Sequence, residues 1–447
     1  MSNRELRADV WRLAWPATLM LLLSQFVDVL DIAFVGRLGR DSVAAFGYAA
    51  QFQTLFLSVV MALGSGVVSV MSRRLGAGQE RDARVVLAAA MIFVECFALL
   101  AAVVVMIWPR VLLGWLNAPD EIADRCVPFF RLLLSASVFI GIASVFEAAF
   151  RSHQDTRTPL KVAGVMIVVK LVLNPILIFG VLGNEALGLV GAGIASLCAR
   201  ASAVLAYLYL LRGRARSDNA LGFSLSNLRR APTVFREVLS VCAPAVVERL
   251  CMSGALLIYF SMLSGFGSSA IAAYTLGTRL LGYSWLPGVG IALASTAYVG
   301  HAIGRGDPQL ARRAAWQSVR IAFVLMTTLG VSCIVFHNAL ATAFTDDPEI
   351  IAELLPFIFT LGFVQPMMAL HFPLSGALRG AGDTVSPMIS SLVSSWLCRV
   401  PFALSVVYVW ELPLYWMWVA IVLDHTMRAV WNVLAFTRSR RLRVVPA

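Results

Sequence analysis

The chain has 447 residues, 59% of them hydrophobic and only 14% charged, with a formal net charge of +11. Soluble globular proteins carry roughly 25% charged residues, and a single water-soluble core stops growing beyond about 250–300 residues. A mean hydropathy of +0.81 therefore excludes a soluble enzyme, a disordered chain and a nucleic-acid-binding domain despite the positive charge. An integral membrane protein remains, with the lipid bilayer as its solvent and no nucleic-acid partner.

A membrane-crossing helix needs about 20 mostly apolar residues. In chain order such runs occupy 13–36, 43–71, 86–109, 126–150, 160–181, 186–211, 238–265, 269–300, 315–341, 350–378, 385–409 and 412–436, twelve in all. The strict alternation of a membrane β-barrel is absent, so the fold is expected to be all-α. Arg4, Arg7 and Arg12 precede the first run, but it is too long for a signal peptide and no small-x-small cleavage site follows. Segments expected on the N-terminal side of the membrane hold 24 of the 36 Lys and Arg, whereas the opposite loops hold Arg37, Arg40, Arg110 and Arg125. By the positive-inside rule both termini are expected in the cytoplasm, the protein lying in the cell inner membrane. The seven cysteines are scattered singly, without metal-ligand spacing, and read as small apolar packing residues; neither a metal nor any other cofactor is expected.

At a shift of 228 residues the chain matches itself without a gap. Pro16-Ala17 falls on Pro244-Ala245, Gly39 on Gly267, Gly76-x-Gly78 on Gly304-x-Gly306, and Pro128-Phe129 on Pro356-Phe357. Most specific is Arg151-x3-Asp155-Thr156-x2-Pro159, which falls on Arg379-x3-Asp383-Thr384-x2-Pro387. The expected organisation is an N-terminal six-helix bundle, 1–211, a cytoplasmic linker, 212–237, and a C-terminal six-helix bundle, 238–447. With an even number of spans in each half, the repeats enter the membrane in the same direction, an arrangement typical of secondary transporters.

Ionisable residues inside spans are costly and mark function by default. The first-half candidates are Asp28, Asp31, Glu95 and Lys170, with Glu147 and Arg131 nearer span ends; those of the second half are Glu248, Arg249, Arg279, Arg320, Arg399, Asp424 and Arg428, with His371 as a titratable neighbour. Asp31 stands out: it precedes Val35-Gly36 near the end of helix 1, and Pro16 on the same helix removes a backbone hydrogen bond and offers a place to bend. Lys170 lies one turn before Asn174, so the two project from one helix face. A buried ammonium must pair or lose its proton, and Asp31 is the candidate partner. Glu248, four residues after Pro244, is a candidate for a cationic substrate or a second coupling ion, as is Asp28; Arg399 suits either role, and Asp424 with Arg428 reads as a structural i,i+4 pair. Arg305-Gly306-Asp307 reads as a turn, and Gly380-Ala-Gly-Asp-Thr384 lacks the lysine of a phosphate-binding loop.

Pro16…Asp31-Ile-Ala-Phe-Val-Gly-Arg-Leu-Gly39, the two Gly-x-Gly loops and Arg379-Gly-Ala-Gly-Asp-Thr384 resemble the multidrug and toxic compound extrusion (MATE) family over essentially the whole chain. That resemblance implies twelve helices in two parallel six-helix bundles forming a V, and export of cationic or amphipathic compounds in exchange for H+ or Na+. It also implies that Asp31 is the coupling residue. The positions matching the family's cation site are Lys170, Asn174 and Ser196, and an ammonium at 170 would repel or replace Na+. The expectation is a monomeric H+-coupled antiporter working by alternating access. Na+ coupling and a lipid-precursor or polysaccharide flippase remain as alternatives; a membrane enzyme is disfavoured by the absence of a metal cluster or nucleophile motif, and a channel by the two-part repeat.

Overall fold

The computed structural model describes residues 2–116, 118–181, 185–214, 225–439 and 442. Part of the expected linker, 215–224, lies outside them. Among the described residues the chain is helical: α1 Asn3–Gly36, α2 Arg40–Gly76, α3 Glu80–Ile107, α4 Pro109–Trp115, α5 Asp120–Ser135, α6 Ser137–Ser152, α7 Arg157–Phe179 and α8 Gly188–Arg214 form the first series. Then come α9 Leu225–Arg230, α10 Pro232–Leu263, α11 Ser268–Gly304, α12 Pro308–Val335, α13 His337–Phe344, α14 Pro348–Gly380, α15 Val385–Leu392, α16 Val400–Leu404 and α17 Tyr415–Arg438. Twelve stretches are long and apolar enough to cross a membrane; α5 and α6 together make one, and Val385–Val409 another. The second series begins at Pro232, six residues before the expected start of its first span, because proline suits the first turn of a helix, where its missing N–H has no partner to lose.

Two compact units emerge. One comprises Met1–Thr18, Ser72–Gly78 and Val241–Ala447; the other comprises Leu19–Met71 and Gln79–Ser240. The first is centred on aromatic packing: Tyr274 stacks on Trp418 at 6.0 Å, and Phe357 meets Trp418 edge-on at 4.9 Å. In the second, Phe129 and Phe130 on α5 pack against Phe46 and Phe52 on α2. Large apolar side chains such as Val168, Leu257, Val324 and Leu397 stand exposed, within stretches apolar enough to cross a membrane.

The repeat has a backbone cause. Gly39 and Gly267 both adopt φ +96°, and Gly78 and Gly306 adopt φ +72° and +73°; only glycine enters this region without a steric penalty. Gln154 and Gly382 are left-handed as well. Immediately after them Asp155 accepts hydrogen bonds from the Thr158 N–H (3.0 Å) and hydroxyl (2.7 Å), and Asp383 from the Ser386 N–H (2.9 Å) and hydroxyl (2.6 Å). The repeated Asp-Thr-x2-Pro block is thus the turn that ends one helix and seeds the next. Gly76 and Gly304 serve a different purpose. A Cβ at 76 would lie 2.2 Å from the His301 carbonyl oxygen, and one at 304 would lie 2.1 Å from that of Arg73, so glycine lets the ends of α2 and α11 touch backbone to backbone.

Candidate functional site

The distal part of α1 buries a single stripe, Val27, Asp31 and Val35, while Phe26, Val29 and Ile32 face outward. Four-residue spacing puts these three on one helix face, so the aspartate is carried inward with the valines. On α7 the buried stripe Met166, Lys170, Asn174 and Ile178 has the same spacing. The two stripes meet. Lys170 Nζ donates to Asp31 Oδ2 in a buried ion pair, and Asn174 Nδ2 donates to Asp31 Oδ1 at 3.0 Å. Asp31 is 7% exposed, Lys170 9% and Asn174 1%. Asn174 Oδ1 is buried without a hydrogen-bond partner among the described residues. That leaves a spare acceptor beside the carboxylate.

Asp28, one turn earlier on α1, is exposed by surface area, yet lies within electrostatic range of Lys170, Asp31 and Arg200. Ser196 is buried on α8, one turn before Arg200, whose Nη1 contacts Met166 Sδ at 3.5 Å. Two carboxylates, Asp28 and Asp31, and two cations, Lys170 and Arg200, therefore lie within electrostatic range of one another. Arg200 is the member that sequence reasoning missed. The signal was available: at the 228-residue shift Arg200 falls on Arg428 and Ser196 on Asp424. Glu95 on α3 is a separate group, with Oε1 buried against Gly141 and unpartnered among the described residues. α1 runs as one helix through Pro16.

The other unit holds a larger polar cluster. Glu248 on α10 accepts from Arg379 Nη2 at 2.8 Å and from Ser391 Oγ at 2.8 Å. Arg428 on α17 donates to both oxygens of Asp424, at 2.9 and 3.3 Å, to Ser395 Oγ at 2.8 Å and to Ser391 Oγ at 3.2 Å. Arg399 approaches Asp424 at 3.6 Å, and its guanidinium lies 4.1 Å from the centre of the Tyr259 ring. Tyr259 donates its hydroxyl proton to the Met417 carbonyl. Asp424 and Arg428, expected as a self-contained pair, are the middle of a chain running from Glu248 to Arg399. The reason is tertiary: the wide π turns over Val393–Arg399 bring Ser395 and Arg399 toward α17. His371 Nε2 and His425 Nδ1 lie 3.1 Å apart, both buried. Among the described residues no group of three or more His, Cys, Asp or Glu could hold a metal.

Known proteins give this geometry a context. A family profile described as MatE matches residues 16–176 and again 244–404, the same 228-residue offset. The probable multidrug resistance protein NorM of Xanthomonas axonopodis pv. citri is 30% identical, the alignment covering 96% of this chain and 94% of the relative. That of Thermotoga maritima is 27% identical, over 97% and 92%, and a Shewanella oneidensis protein named FAD transporter is 24% identical, over 84% and 82%. Among solved structures, a MOP-superfamily transporter from Pyrococcus furiosus shares the fold with a TM-score of 0.89 at 22% identity, covering 97% of this chain and 96% of that one. With both repeats matched and the fold shared from end to end, this chain belongs to the MATE family of multidrug-efflux membrane transporters and is not an enzyme.

Proposed function

We propose that this protein exports cationic or amphipathic compounds by H+ antiport through Asp31, as an inner-membrane monomer with both termini in the cytoplasm. The observation that carries the reading is the buried set of Asp31, Lys170 and Asn174. Ionised Asp31 is held by the ammonium and the amide. Protonation from outside cancels the attraction to Lys170, and the new carboxyl O–H finds an acceptor in Asn174 Oδ1, which has no other partner among the described residues. The distal part of α1 is then free to shift relative to α7, with Pro16 as the point where the helix ladder lacks a bond, and substrate leaves. A fixed ammonium beside the carboxylate occupies the position a Na+ ion would need, which favours H+ as the coupling ion.

One observation supports a second reading, an anionic substrate. Around Glu248 and Asp424 three arginines, Arg379, Arg399 and Arg428, outnumber the carboxylates, and one relative is named for FAD transport.

The test is transport by the purified protein in liposomes, driven by an imposed H+ or Na+ gradient, with ethidium or FAD as cargo. The proposal expects ethidium movement with the H+ gradient alone, abolished in Asp31→Asn. Movement that follows Na+, or that keeps its pH dependence in Asp31→Asn, overturns H+ coupling through Asp31; movement of FAD alone establishes the second reading.

A further inference from the structure

Away from both polar clusters, a cavity of about 420 Å³ opens where the start of α1 meets α12; Asn3, Arg312, Arg313, Trp316, Gln317 and Arg320 line it, and among the described residues no carboxylate does. The α12 residues recur at three- and four-residue intervals, so one helix face supplies them all. The wall is built rather than incidental. Arg313 donates to Asn3 Oδ1 at 3.1 and 3.3 Å, and Arg7 donates to Gln317 Oε1 at 3.2 Å. Asp307, the carboxylate at the start of α12, is occupied in capping that helix through the Leu310 N–H at 2.8 Å. Trp316 is held edge-on by Phe436 at 6.0 Å.

The same helix then turns apolar. Phe323 and Val324, one turn beyond Arg320, are 44% and 69% exposed and lie in a stretch fit to cross the membrane. From the helix start inward, the order is arginines, a tryptophan, an arginine and a lipid-facing apolar stripe. Tryptophan concentrates at membrane–water boundaries, and basic pockets at helix ends hold anionic headgroups. Guanidinium is the side chain best matched to phosphate oxygens.

We infer that this cavity binds the phosphate of an anionic phospholipid, whose acyl chain runs down α12 over Phe323 and Val324. Free phosphate would meet the same arginines but gain nothing from the apolar stripe.

The experiment uses the full-length protein in detergent, with native mass spectrometry reading retention of phosphatidylglycerol against phosphatidylcholine, alone and in competition with millimolar inorganic phosphate. Wild type should prefer phosphatidylglycerol. Removing Arg312 and Arg320 together as R312Q/R320Q should weaken its binding by roughly fivefold per arginine, while R305Q, outside the cavity, should change it little. R312K/R320K, which keeps the charge, should retain most of the preference. A salt titration of wild type gives a second measure, because the screening length falls from about 10 Å at 0.1 M to about 3 Å at 1 M, and binding should fall with it. Equal retention of the two lipids, an unchanged R312Q/R320Q, salt-independent binding, or displacement of lipid by inorganic phosphate would each overturn the inference.

Discussion

Replacing Asp31 with Asn keeps the size of the side chain and an oxygen for the Asn174 amide, but removes the charge that Lys170 pairs with. Both members of the pair are less than a tenth exposed, so the ammonium left behind has little water to return to. Removing one partner of a buried pair costs about 3–5 kcal/mol. Asp28 also acts on Lys170 and offsets part of this, which puts the expected loss for Asp31→Asn near the lower end, at about 3 kcal/mol. Lys170→Met strands the carboxylate and should lose a similar amount. The double variant removes both charges and leaves a neutral contact, so it should recover about 2–3 kcal/mol relative to the sum of the single losses, as neutral replacements of buried pairs do. Its transport should stay lost. The assay is reversible unfolding in mixed micelles for the four proteins of the cycle, followed by transport in liposomes. Losses that add to within about 0.5 kcal/mol would mean that the pair is not coupled, and the reasoning from it would fail.

Three further outcomes follow from other parts of the structure. Gly304→Ala puts a Cβ 2.1 Å from the Arg73 carbonyl oxygen and should cost about 1–3 kcal/mol through forced backbone movement, whereas Gly36→Ala, with no atom within 4 Å, should be neutral or slightly stabilising by thermal unfolding. Glu248→Gln weakens charge-assisted bonds to Arg379 and leaves that guanidinium half-compensated; a loss of about 1.5–3 kcal/mol is expected, and an unfolding transition indistinguishable from wild type would rule it out. For topology, a membrane-impermeant maleimide should label Asp346→Cys in intact cells and Ser2→Cys only after permeabilisation; the reverse pattern would overturn the cytoplasmic placement of the termini.

Much of this architecture is legible in the chain itself. Twelve apolar runs of spanning length are a property of composition along the sequence, and they correspond to the twelve spans because, without the alternation of a closed barrel, the helix is the structure that satisfies the backbone in lipid. The repeat was equally readable, since a left-handed turn and a capping aspartate are local demands, met by the same residues at 78 and 306 and at 155 and 383. Asp31 and Lys170 could be named as partners from burial alone: each is a charge on the inward stripe of an apolar helix and must be compensated.

What the sequence could not supply was which charges meet when several candidates exist. Glu248 lies 131 residues from Arg379, and Arg428 reaches Ser391, Ser395 and Asp424 at once; nothing in their spacing announces this, because helices far apart in sequence set those distances by packing. The same holds for the basic cavity, where α12 supplies the arginines but only its meeting with the start of α1 makes a walled site. Composition and periodicity decide what each helix must hide and what it can show to lipid. Which hidden groups become neighbours is decided by the tertiary structure, because a buried charge takes whichever partner the packed helices bring within reach.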